Sequence, residues 1–175
     1  MTTRLMTVAA VAAMLLADGA TAAPAIRACD VKLNVADQDP NGLNVRATPG
    51  GAIIGTLKAK DLWVQLHVTG SSGAWAAIDS ATLITEDHAE GRPIKPSHGF
   101  VAFSKLAINE LNQQATIYAA PSQDSKVLLA ISEADEANLP HADVLDCDGP
   151  FLKVRVNGIV GWTAGYCSNE FTTCV

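Results

Sequence analysis

The stretch Gly42-Leu43-Asn44-Val45-Arg46-Ala47-Thr48-Pro49 alternates apolar and polar side chains and ends on a turn-forming residue. In a β-strand this alternation places Leu43 and Val45 on one face and leaves the polar side chains on the other. Pro49 fixes its own backbone φ angle, and the two glycines that follow it permit a tight reversal of the chain. The stretch therefore predicts a short strand with one buried face, closed by a turn.

Many further strand-sized apolar runs follow, and Gly, Pro, Asn and Asp residues separate them. The strongest local signal is Asn157-Gly158 between two such runs, because a type I′ turn needs two central residues that tolerate positive φ. Short strands at close spacing are typical of small β-barrels and sandwiches. The sequence thus predicts an all-β fold.

Four segments of the first half of the chain recur in the same order in the second half. They are a strand closed by Ala-x-Pro, an aliphatic strand, a strand that opens on an aromatic residue, and a Gly-aromatic pair. The aligned segments are residues 43–49 with 115–121, 53–57 with 127–131, 75–78 with 151–154, and 99–101 with 161–163. The recurrence predicts two related β units, the first carrying a long hairpin insertion at about residues 79–98.

On these residues the chain resembles the bacterial SH3 (SH3b) domain family. Residues 42–49 match that family's leading Leu-Asn-Val-Arg-x-x-Pro motif in full, whereas the second unit matches it at Pro121 and by apolar character. The second unit keeps the Asn-Gly hairpin and the closing Gly161-Trp162 pair. The resemblance implies two tandem SH3-like small β-barrels, at residues 29–107 and 115–175, joined by a linker at residues 108–114.

Residues 1–22 have the parts of an export signal. Arg4 precedes an apolar run over residues 6–17, and Ala20-Thr21-Ala22 is the small-x-small pattern that signal peptidase cleaves. The apolar run is shorter than the roughly 20 residues needed to span a bilayer. The pattern predicts a cleaved signal peptide, a periplasmic or secreted mature protein, and no integral membrane segment after cleavage.

The composition limits the classes of partner. The chain has 12 basic and 18 acidic residues, a formal net charge of −6. This balance gives no general attraction to a phosphate backbone, so nucleic acid is not an expected partner. With 49% hydrophobic and 17% charged residues, the chain is also too apolar to be disordered throughout.

Four cysteines follow the predicted cleavage site, namely Cys29, Cys147, Cys167 and Cys174. An exported chain with four cysteines is expected to form two disulfides, for which three pairings exist. The placement of Cys147 at the end of a strand and of Cys167 after the Gly-Trp strand favours Cys147–Cys167 with Cys29–Cys174. A local Cys167–Cys174 disulfide is the alternative. No cysteine spacing fits a metal site.

Two groups of residues are candidates for catalysis or metal binding. Asp146 and Asp148, together with a histidine such as His98, have the residue types of a small hydrolase, although Asp148-Gly149-Pro150 is more typical of a turn. His88 and His98 flank the acidic insertion, where a solvated polar loop is the favoured interpretation. We therefore expect no catalytic residue, no metal site and no cofactor.

The aromatic residues are the candidates for ligand binding. Trp75 and Trp162 occupy positions that are aromatic in both repeats, and this favours a role in the core. They are therefore the weaker candidates for ligand binding. Trp63 and Tyr118 have no aromatic counterpart in the other repeat, so the fold alone does not require them. Ligands of SH3-like barrels usually meet aromatic side chains and polar loops in one groove. Trp63 and Tyr118 are therefore the stronger candidates.

The resemblance implies a non-enzymatic exported binding module of the bacterial cell envelope, whose partner is cell-wall peptide, peptidoglycan or an envelope protein. An alternative hypothesis is an inhibitor or immunity-type protein whose hairpin insertion blocks a secreted hydrolase. A small Asp/His hydrolase is a third hypothesis, from a different functional class. The fold supports many functions, so the choice among them depends on the site.

Overall fold

The computed structural model describes residues 25–59, 62–132 and 141–168, and their regular structure is almost entirely β. The expected all-β class is confirmed. Residues 1–22, the predicted signal peptide, lie outside the described residues. Among the described residues, no helix is long and apolar enough to cross a membrane.

The described residues form fifteen strands and one 3-10 turn, in the following order along the chain. The elements are β1 (Arg27–Val35), β2 (Leu43–Arg46), β3 (Ile53–Leu57), β4 (Trp63–Ser72), β5 (Trp75–Thr85), β6 (His88–Pro93), β7 (Gly99–Ala102), a 3-10 turn (Phe103–Lys105), β8 (Leu106–Ala107), β9 (Glu110–Leu111), β10 (Thr116–Tyr118), β11 (Val127–Ala130), β12 (Ala142–Asp148), β13 (Phe151–Val156), β14 (Ile159–Thr163) and β15 (Tyr166–Cys167).

The first sheet has the strand order β3-β2-β7-β5-β4-β1-β8, with β6 paired to β5 outside this path. All of its pairings are antiparallel, and its centre is the long β4–β5 hairpin. Alternate residues of β4 are fully buried because successive side chains of a strand point to opposite faces; these are Val64, Leu66 and Val68. The opposite face of β4 carries Gln65 and His67, which are half-buried.

The second sheet has the order β11-β10-β14-β13-β12, which is the order of β3-β2-β7-β5-β4 in the first. Residues that match in the sequence repeat also pair across equivalent strands of the two sheets. Arg46 pairs with Phe100 across β2–β7, and Tyr118 pairs with Trp162 across β10–β14. The repeat seen in the sequence is therefore also a repeat of strand order and register. Among the described residues, each strand order runs from one edge to the other without closing into a ring.

Two hairpins show how local sequence sets the backbone. Asn157 and Gly158 both have positive φ, at 50° and 81°, and they join β13 to β14 through the Val156–Ile159 pair. This confirms the predicted Asn-Gly hairpin. In the region expected as an insertion, β5 runs on to Thr85 and turns into β6, which pairs only with β5 among the described strands.

Residues 108–114, expected as a linker, contribute a strand. In β9, Leu111 is 1% exposed and pairs with Tyr166 of β15, while Glu110 pairs with Cys167. This two-stranded sheet attaches the segment to the end of the second unit. Apolar side chains from both halves of the chain, Leu111 included, are buried in one continuous core.

The two main sheets are joined covalently by a Cys29–Cys147 disulfide with a Cα–Cα distance of 5.7 Å. The favoured pairings Cys147–Cys167 and Cys29–Cys174 are therefore wrong. The physical reason is that the start of β1 lies beside the end of β12, where the backbones of Asp30 and Gly149 are hydrogen-bonded at 2.8 Å. Cys167 is also disulfide-bonded, and Cys174 lies outside the described residues.

Candidate binding grooves

Tyr118 lines a groove of about 570 Å³ in the second unit, which we call the Tyr118 groove. Its other walls are the segment that follows β9 and the turn between β14 and β15. The lining residues are Asn112, Gln113, Gln114, Ala115, Thr116, Gln123, Ala164 and Gly165. Four of these side chains end in amides, Tyr118 is the one aromatic residue among them, and none is ionised at neutral pH. The volume is within the usual range of small-ligand sites.

A comparison of the two repeats shows how their residues differ beside this groove. Register pairs Arg46 with Phe100 and Tyr118 with Trp162, so Arg46 corresponds to Tyr118, and Phe103 corresponds to Gly165. Phe103 is 2% exposed, and its 3-10 turn packs against β12. Gly165 lies close to Ala115, because a Cβ atom on Gly165 would stand 3.1 Å from the Cα and Cβ atoms of Ala115.

Trp63 lines a separate cleft of about 570 Å³ near β9, the Trp63 cleft, together with Asn34, Gln38, Glu86 and Asn109. The Trp63 indole Nε1 donates to Asn34 Oδ1 at 2.8 Å. The Nδ2 of Asn34, a residue only 8% exposed, donates to Asn109 Oδ1 at 2.6 Å. The polar end of Trp63 is thus part of a hydrogen-bond network that ties β4 and β1 to the segment before β9.

Trp75 and Trp162 are both covered by cations from their own surroundings. The guanidinium of Arg46 lies 5.6 Å from the Trp75 ring centroid, and its Nη1 donates to Gly51 O at 2.6 Å. Trp162 is 8% exposed, with Arg27 at 5.6 Å and Lys153 at 5.7 Å from its ring centroid. Such cation–π contacts stabilise the fold where they are partly desolvated. The structure therefore does not bring the four candidate aromatic residues into one site.

Asp146, named in the hydrolase hypothesis, lies at the junction of the two sheets. Its carboxylate accepts hydrogen bonds from Arg27 Nη2 and from Ser71 Oγ, and the Cys147 backbone N–H donates to it at 2.8 Å. The ring of His98 instead lies 3.0 Å from Ser97 Oγ. These partners give Asp146 a role in joining the sheets.

In the β5–β6 hairpin, one histidine and one carboxylate approach each other at the surface. His88 Nδ1 lies 3.8 Å from Glu90 Oε1, and both side chains are more than half exposed. Within residues 25–59, 62–132 and 141–168, no group of three or more His, Cys, Asp or Glu side chains is arranged to hold a metal ion.

His67 belongs to a cluster that sequence reasoning missed. Its Nδ1 lies 2.7 Å from Asp79 Oδ1 and its Nε2 lies 2.9 Å from Asp30 Oδ1, which connects β5, β4 and β1. Because both partners are carboxylates, both ring nitrogens donate when the imidazole is protonated. The hydrogen bond to Asp30 raises the pKa of His67 above 6.5, the bond to Asp79 adds to this, and partial burial opposes it. No local motif marks this cluster, since the three residues meet only through strand pairing.

Tyr166 of β15 packs against the same strand as Asp30. Burial raises the pKa of Tyr166 to about 12, the bond from the Lys32 backbone opposes the shift, and the negative charge of Asp30 adds to it. The phenol therefore stays neutral over the physiological pH range and serves as a half-buried contact between β15 and β1.

No protein-family model matches the chain, and no curated protein matches it. Among solved structures, the chain is similar to NlpC2 from Trichomonas vaginalis, with 13% identity and a TM-score of 0.32 over 78% of this chain and 48% of that one. It is also similar to NlpC1 from the same organism, with 12% identity and a TM-score of 0.34 over 92% of this chain and 51% of that one. The chain therefore spans about half the length of either protein. At this level of similarity, neither protein bears on the fold or function of the chain.

Proposed function

We propose that this chain is an exported, non-enzymatic binding module of the bacterial cell envelope, built from two tandem SH3b-like units, and that its partner is cell-wall material. The observation that carries the proposal is the Tyr118 groove. It combines one aromatic ring with four amide side chains and no charged group, which suits recognition of a polar ligand.

The fold supports the two-unit part of this proposal. Five strands of each sheet follow the same order, and corresponding residues pair across corresponding strands. The full SH3b motif stands in β2 and the turn after it, where Arg46 donates to the carbonyl of Gly51 and so secures that turn. The SH3-like barrel is the form that we assign to each unit.

The cysteine chemistry supports the export part. Cys29, Cys147 and Cys167 are all disulfide-bonded, and the structure shows no free thiol among the described residues. Disulfides persist in oxidising compartments such as the bacterial periplasm and the cell exterior. Cleavage of residues 1–22 would leave the chain beginning at Ala23. Amino-terminal sequencing of the exported protein checks this start.

Co-sedimentation of the mature protein with purified peptidoglycan sacculi tests the binding. We expect retention at low salt and loss of most of it in Tyr118→Ala, because that variant removes the aromatic wall of the groove. Ile53→Ala is the matched control, since Ile53 is a large apolar side chain, 50% exposed, on the edge strand of the other sheet. Absence of wild-type retention would overturn the proposed function.

A second candidate function is inhibition of a secreted hydrolase by the β5–β6 hairpin. The observation that favours it is the exposure of all five residues from Glu86 to Glu90 and the pairing of β6 with β5 alone among the described strands. Replacing residues 86–91 by a short turn tests it. Loss of a captured enzyme, with sacculus binding unchanged, would assign the partner to the hairpin.

A further inference from the structure

The chemical character of the Tyr118 groove narrows the kind of wall component that fits it. Cell walls offer two chemically distinct ligands, namely peptides that carry carboxylates and amines, and sugar chains that carry hydroxyl and acetamido groups. A charged group loses its hydration on entering a groove, and this cost is compensated only by an opposite charge or by several strong hydrogen bonds. None of the residues that line the groove supplies a charge.

The polar groups that do line the groove suit a neutral ligand. The exposed side chains of Gln113 and Gln123 each present both a carbonyl oxygen and an NH₂ group, whereas the Oδ1 atom of Asn112 is buried. An amide can therefore donate to a sugar hydroxyl or acetamido carbonyl and also accept from a hydroxyl or acetamido N–H. An amine or a carboxylate would use only one half of each amide.

The apolar groups form the complementary part. Tyr118 is half-buried, so its ring is held in place by the fold, and it is flanked by the small residues Ala115, Ala164 and Gly165. A flat aromatic ring with a polar edge, beside walls without bulk, matches a sugar ring, which has an apolar face and a polar rim.

We propose that the Tyr118 groove binds an uncharged sugar chain bearing hydroxyl and acetamido groups, with one sugar ring stacked on Tyr118. This inference rests on the proposed function and deepens it by naming the ligand class. The groove amides align the sugar by hydrogen bonds, and the stacked ring anchors it.

The test uses the mature protein and the tetramer of β-1,4-linked N-acetylglucosamine as probe, with binding measured by calorimetry or by titration of amide chemical shifts. We expect saturable binding of the wild type. Tyr118→Ala should weaken it by about tenfold or more, as for an anchoring aromatic residue, whereas Tyr118→Phe should retain most of it. Gln123→Trp, at an exposed position on the groove wall, should also abolish binding by filling the space without disturbing the core.

Ile53→Ala, outside the groove, should bind the probe as the wild type does. A parallel titration with an uncrosslinked wall peptide separates the two levels of the hypothesis. Binding of the peptide and of intact sacculi without binding of the sugar would overturn the sugar assignment and leave the envelope function standing. Absence of binding to sugar, peptide and sacculi would overturn both. Sugar binding that is equally strong in Tyr118→Ala would also overturn the assignment of the groove.

Discussion

At the scale of single residues, we expect His67 to make the stability of the protein depend on pH. Its two carboxylate partners raise its pKa in the folded state above 6.5, so folding favours the protonated ring. A raised folded pKa gives stabilisation that is fully present below the unfolded pKa and is lost as the pH rises through the folded value. We expect the wild-type free energy of unfolding, measured with urea, to fall as the pH is raised from 5.5 to 8.5.

The control is His67→Asn, which removes the titrating group and leaves His88, His98 and His141 in place. Its free energy of unfolding should be lower than that of the wild type at pH 5.5, and the difference should narrow towards pH 8.5. Parallel curves for the two proteins would show that the contacts of His67 with Asp30 and Asp79 do not favour its protonated form.

Residue chemistry also explains which candidate positions could be assigned from sequence. Tyr118 stands out because the matched position is Arg46, and the structure places its ring on a groove wall. Trp63 stands out for the same reason, yet its indole N–H is bound to buried Asn34, a partner on another strand that no local pattern reveals. The cations that cover Trp162 come from β1 and β13, and Arg27 stands 135 positions before Trp162 in the chain.

At the scale of elements, the strands with strong alternation and the Asn-Gly hairpin are predictable because side-chain period and turn chemistry are local properties. Strand β9 is not predictable from the sequence. It has only two residues and pairs with the two-residue strand β15, so it has almost no periodic signal and forms through tertiary contact. The same limit applies to the disulfide, since it depends on β1 lying beside β12.

The buried side chain of Leu111 allows a test of whether β9 is held in place by tertiary contacts. Leu111→Ala should lower the free energy of unfolding by about 2–5 kcal/mol, the usual cost of truncating a buried leucine. Exposed Glu110, its neighbour in β9, provides the control, and Glu110→Ala should change stability by less than about 0.5 kcal/mol. Equal, small effects of both changes in urea unfolding would mean that residues 108–114 behave as a simple linker.

At the scale of the whole molecule, the Cys29–Cys147 disulfide, with a sequence separation of 118 residues, connects the two sheets. Cross-linking positions so far apart restricts the unfolded chain strongly, and loss of such a native disulfide typically costs about 2–5 kcal/mol. The double variant Cys29→Ala/Cys147→Ala should therefore unfold at a lower urea concentration than the wild type. Its chain keeps Cys167 and Cys174 unchanged, which isolates the effect of this one bond.

Arg27 and Asp146 reinforce the same junction, together with the Asp30–Gly149 backbone bond. We therefore expect the double cysteine variant to unfold in one transition, because the continuous core still couples the two units. Two separate transitions in urea would show that the disulfide is what makes them a single cooperative body.

The central claim is that the Tyr118 groove is where this chain meets the cell wall. The most direct measurement maps amide chemical-shift changes in the isotopically labelled mature protein as soluble wall fragments are added. We predict that the largest changes fall on residues 112–118, Gln123, Ala164 and Gly165, and that they disappear in Tyr118→Ala. Changes centred on the β5–β6 hairpin, or no saturable change at any residue, would contradict the claim.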